Sequence, residues 1–248
     1  MFQRISKFKD LFKLIIFIPL IFSFGKRSYI AFDEGFYALQ ARWILDKGNW
    51  IIPLWWDEYV LDRTIGLQFL IAKSQEFFGR NIFSAYLPTT AASILMLFIT
   101  YKLHEELFNK KYAIISPLIL ATTYLWFDYS HLATQDIIYS CLVTIGVLAL
   151  VKIKSKNNKF YILLFGIWIG LAFMMKTFLV FVPLISLLPY FFSKKNHLFS
   201  KFFWVGLLIG FIPYLFWTYS INPYLDKNII FYLVEKFNFL SNENTFTN

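Results

Sequence analysis

Charge and cysteine are what this 248-residue chain has least of. Only 16% of its residues are Asp, Glu, Lys or Arg, where soluble domains carry about a quarter. So little charge excludes an ordinary soluble domain, since 31 Phe would leave wide apolar patches facing water. The single cysteine, Cys141, lies in an apolar run without a partner, so no disulfide contributes. No His, Cys and Glu set shows a metal-ligand spacing. No internal repeat is visible and the acids do not sit mid-span, which argues against a small-solute transporter.

What remains is grease. Hydrophobic residues make up 58% of the chain and aromatic residues 22%, in runs that recur along nearly its whole length. A hydrocarbon core about 30 Å thick needs roughly 17 to 25 mostly apolar residues per helix. Seven stretches qualify or come close: 8–24, 82–103, 112–127, 133–151, 160–175, 177–192 and 202–220. The first is basic and then apolar, like a signal peptide, but no small-residue cleavage site follows it, so it reads as a retained span. The expectation is an all-α polytopic membrane protein with about seven transmembrane helices and a long outer loop, 25–81.

The stretch IGLQFLIAKSQEFFG at 65–79 is too short and too charged to cross. Leu67, Leu70, Ile71 and Phe78 share one helical face, so it reads as an amphipathic helix lying in the interface. Charge parity supports that choice. With the N-terminus cytoplasmic, the inner segments hold 14 of the 24 Lys and Arg but only Asp10, Glu105 and Glu106 of the 15 acids. An eighth span at 65–79 would put both Lys-rich loops outside. The same sidedness gathers Asp33, Glu34, Asp62, Asp128, Asp136 and Lys176 at or near the outer face.

Each of these residues has a plain reading and a chemical one. DEGFYALQARWILDKGNW reads as a helix from Asp33, with an apolar stripe of Phe36, Leu39 and Trp43 and a stop at Gly48. Asp33 is either its N-cap or a general base toward a sugar hydroxyl. In YVLDRTIG, the fork of Arg63 suits a phosphate, or anchors any headgroup. Asp136 caps an apolar helix or projects into a cavity with Asp33, as ionisable groups at membrane depth do when they are functional. Lys176, alone between two apolar runs, snorkels outward or points at a lipid phosphate. His131 reads as an interfacial hydrogen-bonding residue. Trp43, Trp50, Trp55, Trp56 and Tyr59 fit an interfacial aromatic belt.

These elements resemble the GT-C superfamily of glycosyltransferases, in the branch of the protein O-mannosyltransferases and the aminoarabinose transferases of lipid A. That pattern opens with Asp-Glu, then Tyr-Ala and a Gly-[Asp/Asn]-Trp-x-x-Pro element, here DEGFYALQARWILDKGNWIIP. An acidic-Lys-Pro-Pro-Leu stretch corresponds to LDRTIGLQFL, an FG…RLPS stretch to FFGRNIFSAYLPTT, and a GLAFLTKG-like span end to GLAFMMKT. The resemblance covers roughly 28–190.

The resemblance implies that Asp33 is the catalytic base, with Glu34 beside it. Asp62 takes the place of a metal-binding acid, Arg63 of a phosphate-binding Lys, and Asp136 of an acid lining the same cavity. Thr64-Ile65 replace the Pro-Pro, and Phe36 stands where some members carry a basic residue. Full members continue past the seventh span with more spans and often a soluble domain, so the chain reads as their N-terminal module: a transmembrane unit over 1–220 and a polar outer tail over 221–248.

The function implied is transfer of a sugar, with inversion, from a polyprenyl-phosphate donor to an acceptor hydroxyl on the outer face of a bacterial-type inner membrane. Arg63 and Lys176 would hold the donor phosphate, and Asp62 admits a divalent metal. The acceptor would be a lipid, glycan or protein, a partner subunit is allowed, and no nucleic acid is expected. The alternative is a non-catalytic lipid-binding or scaffold subunit on the same module.

Overall fold

The computed structural model describes residues 20, 28–29, 33–56, 58–60, 63–108, 110–154, 157–198, 200–225 and 228–234. The expected span 8–24 lies outside them except for Leu20, which is helical and buried against Leu97, Ala121, Trp126 and Ile137.

Helix α1, Asp33–Lys47, starts and stops as its residues require. Gly48 ends it at φ +67, a left-handed conformation that costs glycine little. Asn49 then builds a turn, its Oδ1 accepting the N–H groups of Ile51 and Ile52 at 3.0 and 3.1 Å. The returning loop is pinned when Trp217 Nε1 donates to the Ile51 carbonyl at 2.8 Å. A two-residue hairpin follows, β1 Leu54–Trp55 against β2 Glu58–Tyr59, which the all-α expectation omitted. Trp56, at φ +52, makes its turn.

The buried face of α1 is not the anticipated stripe. Tyr37, Ala41 and Ile44 are buried in the main core, whereas Phe36 and Trp43 are only partly covered. Helix α2, Gly66–Phe78, has the boundaries read from sequence and buries Leu67 and Ile71 of the expected face, but not Phe78. Leu67, Gln68, Ile71 and Gln75 are buried, and Phe78 is 61% exposed. The reason is a polar contact: the buried amides of Gln40 and Gln68 hydrogen-bond at 2.6 Å and join α1 to α2. Burial of one amide without the other would leave its hydrogen bonds unmade.

Helix α3, Ile82–Leu107, opens with a capping box. Ser84 N–H donates to Asn81 Oδ1 at 2.8 Å, and Asn81 N–H to Ser84 Oγ at 3.4 Å. The stretch 112–127, expected as one span, is two short helices, α4 Ile115–Thr122 and α5 Tyr124–Ser130. They part at Thr123, whose extended backbone (ψ 124°) cannot continue an α-helix.

Helices α6, Gln135–Lys152, and α7, Lys159–Lys176, are antiparallel. Asp136 meets Lys176 at one end and Lys152 meets Tyr161 at the other. Between them Gly146 makes room for the Trp168 indole, since a Cβ there would fall 2.4 Å from it. Thr177, at φ +46, then breaks the chain into a 3-10 turn, Thr177–Val180, and α8, Phe181–Leu198. The Phe165 and Phe191 rings are 6.3 Å apart. A straight helix would separate them by about 39 Å, so α7 and α8 form a hairpin.

Helix α9, Lys201–Ile221, runs parallel to α7. Gly166 and Gly170 lie against Gly206 and Gly210 so closely that a Cβ on any of them would stand 2.2 to 2.5 Å from backbone of the other helix. Both helices carry G-x-x-x-G, the small-residue pattern that lets membrane helices touch backbone to backbone. Beyond α9, Ile229 and Leu233 also bury in the main core, so packing continues past residue 220.

Four helical stretches among the described residues are long and apolar enough to cross a membrane: Ile82–Leu107, Gln135–Lys152, Lys159–Ser193 and Lys201–Tyr224. The third contains the α7–α8 hairpin. Outward-facing Phe98, Ile185, Leu208 and Phe216 are each more than half exposed, as side chains bathed in lipid are.

Candidate functional site

Two loop-to-helix junctions meet at one end of the bundle. Glu34, in the first turn of α1, is 1% exposed, and its Oε1 accepts the backbone N–H of Ala133 at 2.7 Å. Ala133 immediately precedes the residues that open α6, so this bond fixes the start of α1 to the start of α6. Tyr29 stands alongside, its ring 5.9 Å from that of Tyr86 on α3. Burial, and then the charge of Glu34, push the Tyr29 phenol above its ordinary range, so it remains a hydroxyl donor. Asp33 begins α1, but its side chain, and Asp62 altogether, lie outside the described residues.

Arg63 is held from two sides. Its Nη1 donates to Tyr37 Oη at 2.8 Å, and its guanidinium lies 4.6 Å from the Phe36 ring and 5.1 Å from the Tyr37 ring. Phe36 is itself stacked on Trp55 at 4.7 Å. A planar cation on aromatic faces is stabilised and loses little further freedom when it takes a ligand. Phe36 stands where some members of the resembling branch carry a base, and here it supports a cation that arrives from the loop instead. Neither Phe36 nor Tyr37 was singled out as a support for Arg63. The available signal was the Tyr-Ala element itself.

Lys176 Nζ donates to Asp136 Oδ1 at 2.5 Å, closing the α6–α7 pair at the same end as Glu34. The base expected to hold a phosphate and the acid expected in the cavity thus meet each other. Arg63 and Lys176 lie on adjoining elements. Gly66, three residues beyond Arg63, packs so tightly on the end of α7 that a Cβ would sit 2.8 Å from the Met174 carbonyl. His131 caps α5, with Nδ1 2.7 Å from the Phe127 carbonyl and 3.1 Å from Ser130 Oγ.

Beside this junction lies an apolar cavity of about 430 Å³. Ile65 and Gly66 form one wall, Met174 and Met175 another, and Trp50 and Trp217 a third. Two of its lining residues, Ile65 and Met175, are two residues from Arg63 and one residue from Lys176 along the chain. As for a metal, no group of three His, Cys, Asp or Glu capable of holding one occurs among the described residues.

A guanidinium held on aromatic faces, a buried carboxylate and an acid–base pair thus gather at one end of a helical bundle, whose long apolar helices define a polytopic membrane protein. Residues 62–219 match the dolichyl-phosphate-mannose-protein mannosyltransferase family, and the chain belongs to it. It is 28% identical over 197 residues, 75% of its length, to an undecaprenyl phosphate-alpha-4-amino-4-deoxy-L-arabinose arabinosyl transferase of Enterobacter sp. (strain 638). It is 24% identical over 227 residues, 86% of its length, to the enzyme of the same name from Shewanella sediminis. The chain spans 34% and 41% of these two relatives. Its fold matches the crystal structure of ArnT from Cupriavidus metallidurans bound to undecaprenyl phosphate, with a TM-score of 0.78 and 17% identity, over 88% of this chain and 42% of that one.

Proposed function

We propose that the chain carries the donor site of a membrane glycosyltransferase that uses a polyprenyl-phosphate-linked sugar. The observation that carries this reading is the seat of Arg63, bonded to Tyr37 and stacked on Phe36, two residues from the wall of the apolar cavity. The cavity would receive isoprenoid units near the head and Arg63 the phosphate, two of whose oxygens the guanidinium fork can bond. The Enterobacter and Shewanella relatives, and the ArnT structure bound to undecaprenyl phosphate, favour a lipid of this kind.

In the reaction Asp33 takes the proton of the acceptor hydroxyl as its oxygen attacks the anomeric carbon. The bond from that carbon to the phosphate oxygen breaks with inversion, and its electron pair leaves on the polyprenyl phosphate. Arg63 stabilises the charge that builds on the departing group, where preorganised donors act most strongly. Glu34 fixes the helix that bears Asp33. Asp136 balances Lys176, and a phosphate that displaces the carboxylate would gain the ammonium as a second cation. Asp62 is the acid that would bind a divalent metal.

Seven spans, a cytoplasmic N-terminus, α2 lying in the interface and an active site on the outer face of the inner membrane complete the reading. They rest on the distribution of Lys and Arg.

The test is turnover of a panel of polyprenyl-phosphate sugars by the purified full chain and by Asp33→Asn. Loss of at least about 100-fold is expected for a general base, with lipid binding retained. Equal turnover removes Asp33 from the mechanism. Tight lipid binding with no donor consumed by the unmodified chain would instead favour a lipid-binding subunit.

A further inference from the structure

Helix α1 has a second chemical face. Gly35, Ala38, Leu39 and Arg42 recur at helical spacing along one stripe, well round the helix from Tyr37 and its bond to Arg63. This stripe, with Tyr29, Gln75 of α2 and Arg80, Asn81 and Ile82 at the start of α3, lines a cavity of about 530 Å³. Gly35 and Ala38 present almost no side chain, which opens the space. Arg42 and Arg80 bring two guanidiniums to it, and among the described residues that line it none is acidic.

Both arginines converge on one carboxylate. Arg80 Nη1 donates to Asp46 Oδ1, and Arg42 Nε donates to Asp46 Oδ2 at 3.3 Å. Two cations share one anion, so the cluster keeps a positive charge. Both arginine side chains are also more than half exposed, at 71% and 52%. Ile82 is also the first residue of a 26-residue helix long and apolar enough to cross a membrane, so the cavity lies at the end of that helix, where lipid headgroups would meet it.

We infer that this cavity is a binding site for a phosphate-bearing lipid headgroup, separate from the Arg63 seat and held by Arg42 and Arg80. The planar fork of each arginine matches a phosphate, and the Tyr29 hydroxyl supplies a further donor. A headgroup there would touch α1, α2 and the start of α3 together, and so brace the helix that begins with Asp33 and Glu34. Asp46 competes with the ligand for both arginines. The site is independent of sugar transfer, so its test does not depend on turnover.

The experiment titrates the purified full chain, in neutral detergent, with short-chain phosphatidylglycerol, with the matching phosphatidylcholine and with inorganic phosphate, reading the thermal midpoint and the apparent Kd. Phosphatidylglycerol is expected to bind saturably and more tightly than phosphatidylcholine. The double variant Arg42→Gln, Arg80→Gln should weaken it by about 10-fold or more, given that hydrogen bonds to charged groups are the stronger kind, with the circular dichroism unchanged. Arg63→Gln should leave it alone, and Asp46→Asn should tighten it several-fold by releasing both arginines. Inorganic phosphate matching phosphatidylglycerol would keep the anion site and overturn the lipid source. Equal binding of the two lipids, weaker binding in Asp46→Asn, or a loss confined to Arg63→Gln would each overturn the proposal.

Discussion

Glu34 and Ala133 are 99 residues apart in sequence, and one hydrogen bond of 2.7 Å joins them. It is a long-range tie between the loop that follows the first apolar run and the turn that opens α6. The acceptor is a nearly inaccessible carboxylate and the donor a buried backbone N–H, a group that is costly to leave unpaired.

Substitutions at Glu34 should therefore separate acceptor from charge. Glu34→Gln keeps an oxygen that can accept from Ala133. Glu34→Ala leaves the N–H without one, at about 1–3 kcal/mol for an unsatisfied buried group. Thermal unfolding in detergent is expected to rank the unmodified chain and Glu34→Gln together, with Glu34→Ala clearly below. The reverse order would mean that charge, not the bond to Ala133, is what this position supplies.

The seat of Arg63 makes a second expectation. Arg63→Lys keeps a positive charge but loses the planar stack on Phe36 and the fork, so it is not a conservative change. Binding of polyprenyl phosphate should weaken by roughly 10-fold, since a charged hydrogen bond is worth about 1.5–3 kcal/mol. Tyr37→Phe removes only the 2.8 Å bond that orients the guanidinium and should cost a few-fold. Titration of the lipid against the three proteins decides it, and a Tyr37→Phe loss as large as that of Arg63→Lys would show that Tyr37 itself meets the lipid.

Much of this was legible in the sequence, and the failures have physical causes. The bounds of α1 followed from Gly48, and those of α2 from the limits of the amphipathic stretch 65–79, because local chemistry ends helices. The face of α1 was misread, and that of α2 in part, because Gln40 and Gln68 bury each other. Pairwise satisfaction of two amides 28 residues apart leaves no periodic trace. Asp136 and Lys176 were placed at one end by charge parity, yet their contact depends on the antiparallel register of α6 and α7, which Gly146 and Trp168 set. The break at Thr123 was missed since 112–127 carries no charge. Hydropathy records burial in lipid and says nothing of a change in backbone angle.

The Asp136–Lys176 pair offers a test of coupling. The side chains are 39% and 24% exposed, so solvent screening keeps the pair near the modest end of ion-pair energies. A double-mutant cycle with Asp136→Asn and Lys176→Met should give a coupling of about 1 kcal/mol in unfolding. If a donor phosphate takes over Lys176, Asp136→Asn should also tighten polyprenyl phosphate binding while lowering stability. Parallel losses of both would show that the pair is purely structural.

The contact of α7 with α9 gives the sharpest structural expectation. A Cβ at Gly170 would fall 2.2 Å from the carbonyl carbon of Gly210, and one at Gly206 would fall 2.2 Å from the Leu163 oxygen. Neither neighbour is a side chain that can rotate away, so Gly170→Ala and Gly206→Ala must push two helices apart. Overpacking of this kind costs about 1–3 kcal/mol, and here the whole crossing has to shift. Gly146→Ala meets the buried Trp168 ring instead, a side chain rather than backbone, so the indole and not the helix crossing is what has to shift. Thermal midpoints in detergent are expected to fall in Gly170→Ala and Gly206→Ala, with the double variant below additivity because one separation relieves both clashes. Full additivity would mean that the two glycines act at independent sites, and the close parallel crossing of α7 and α9 would be wrong.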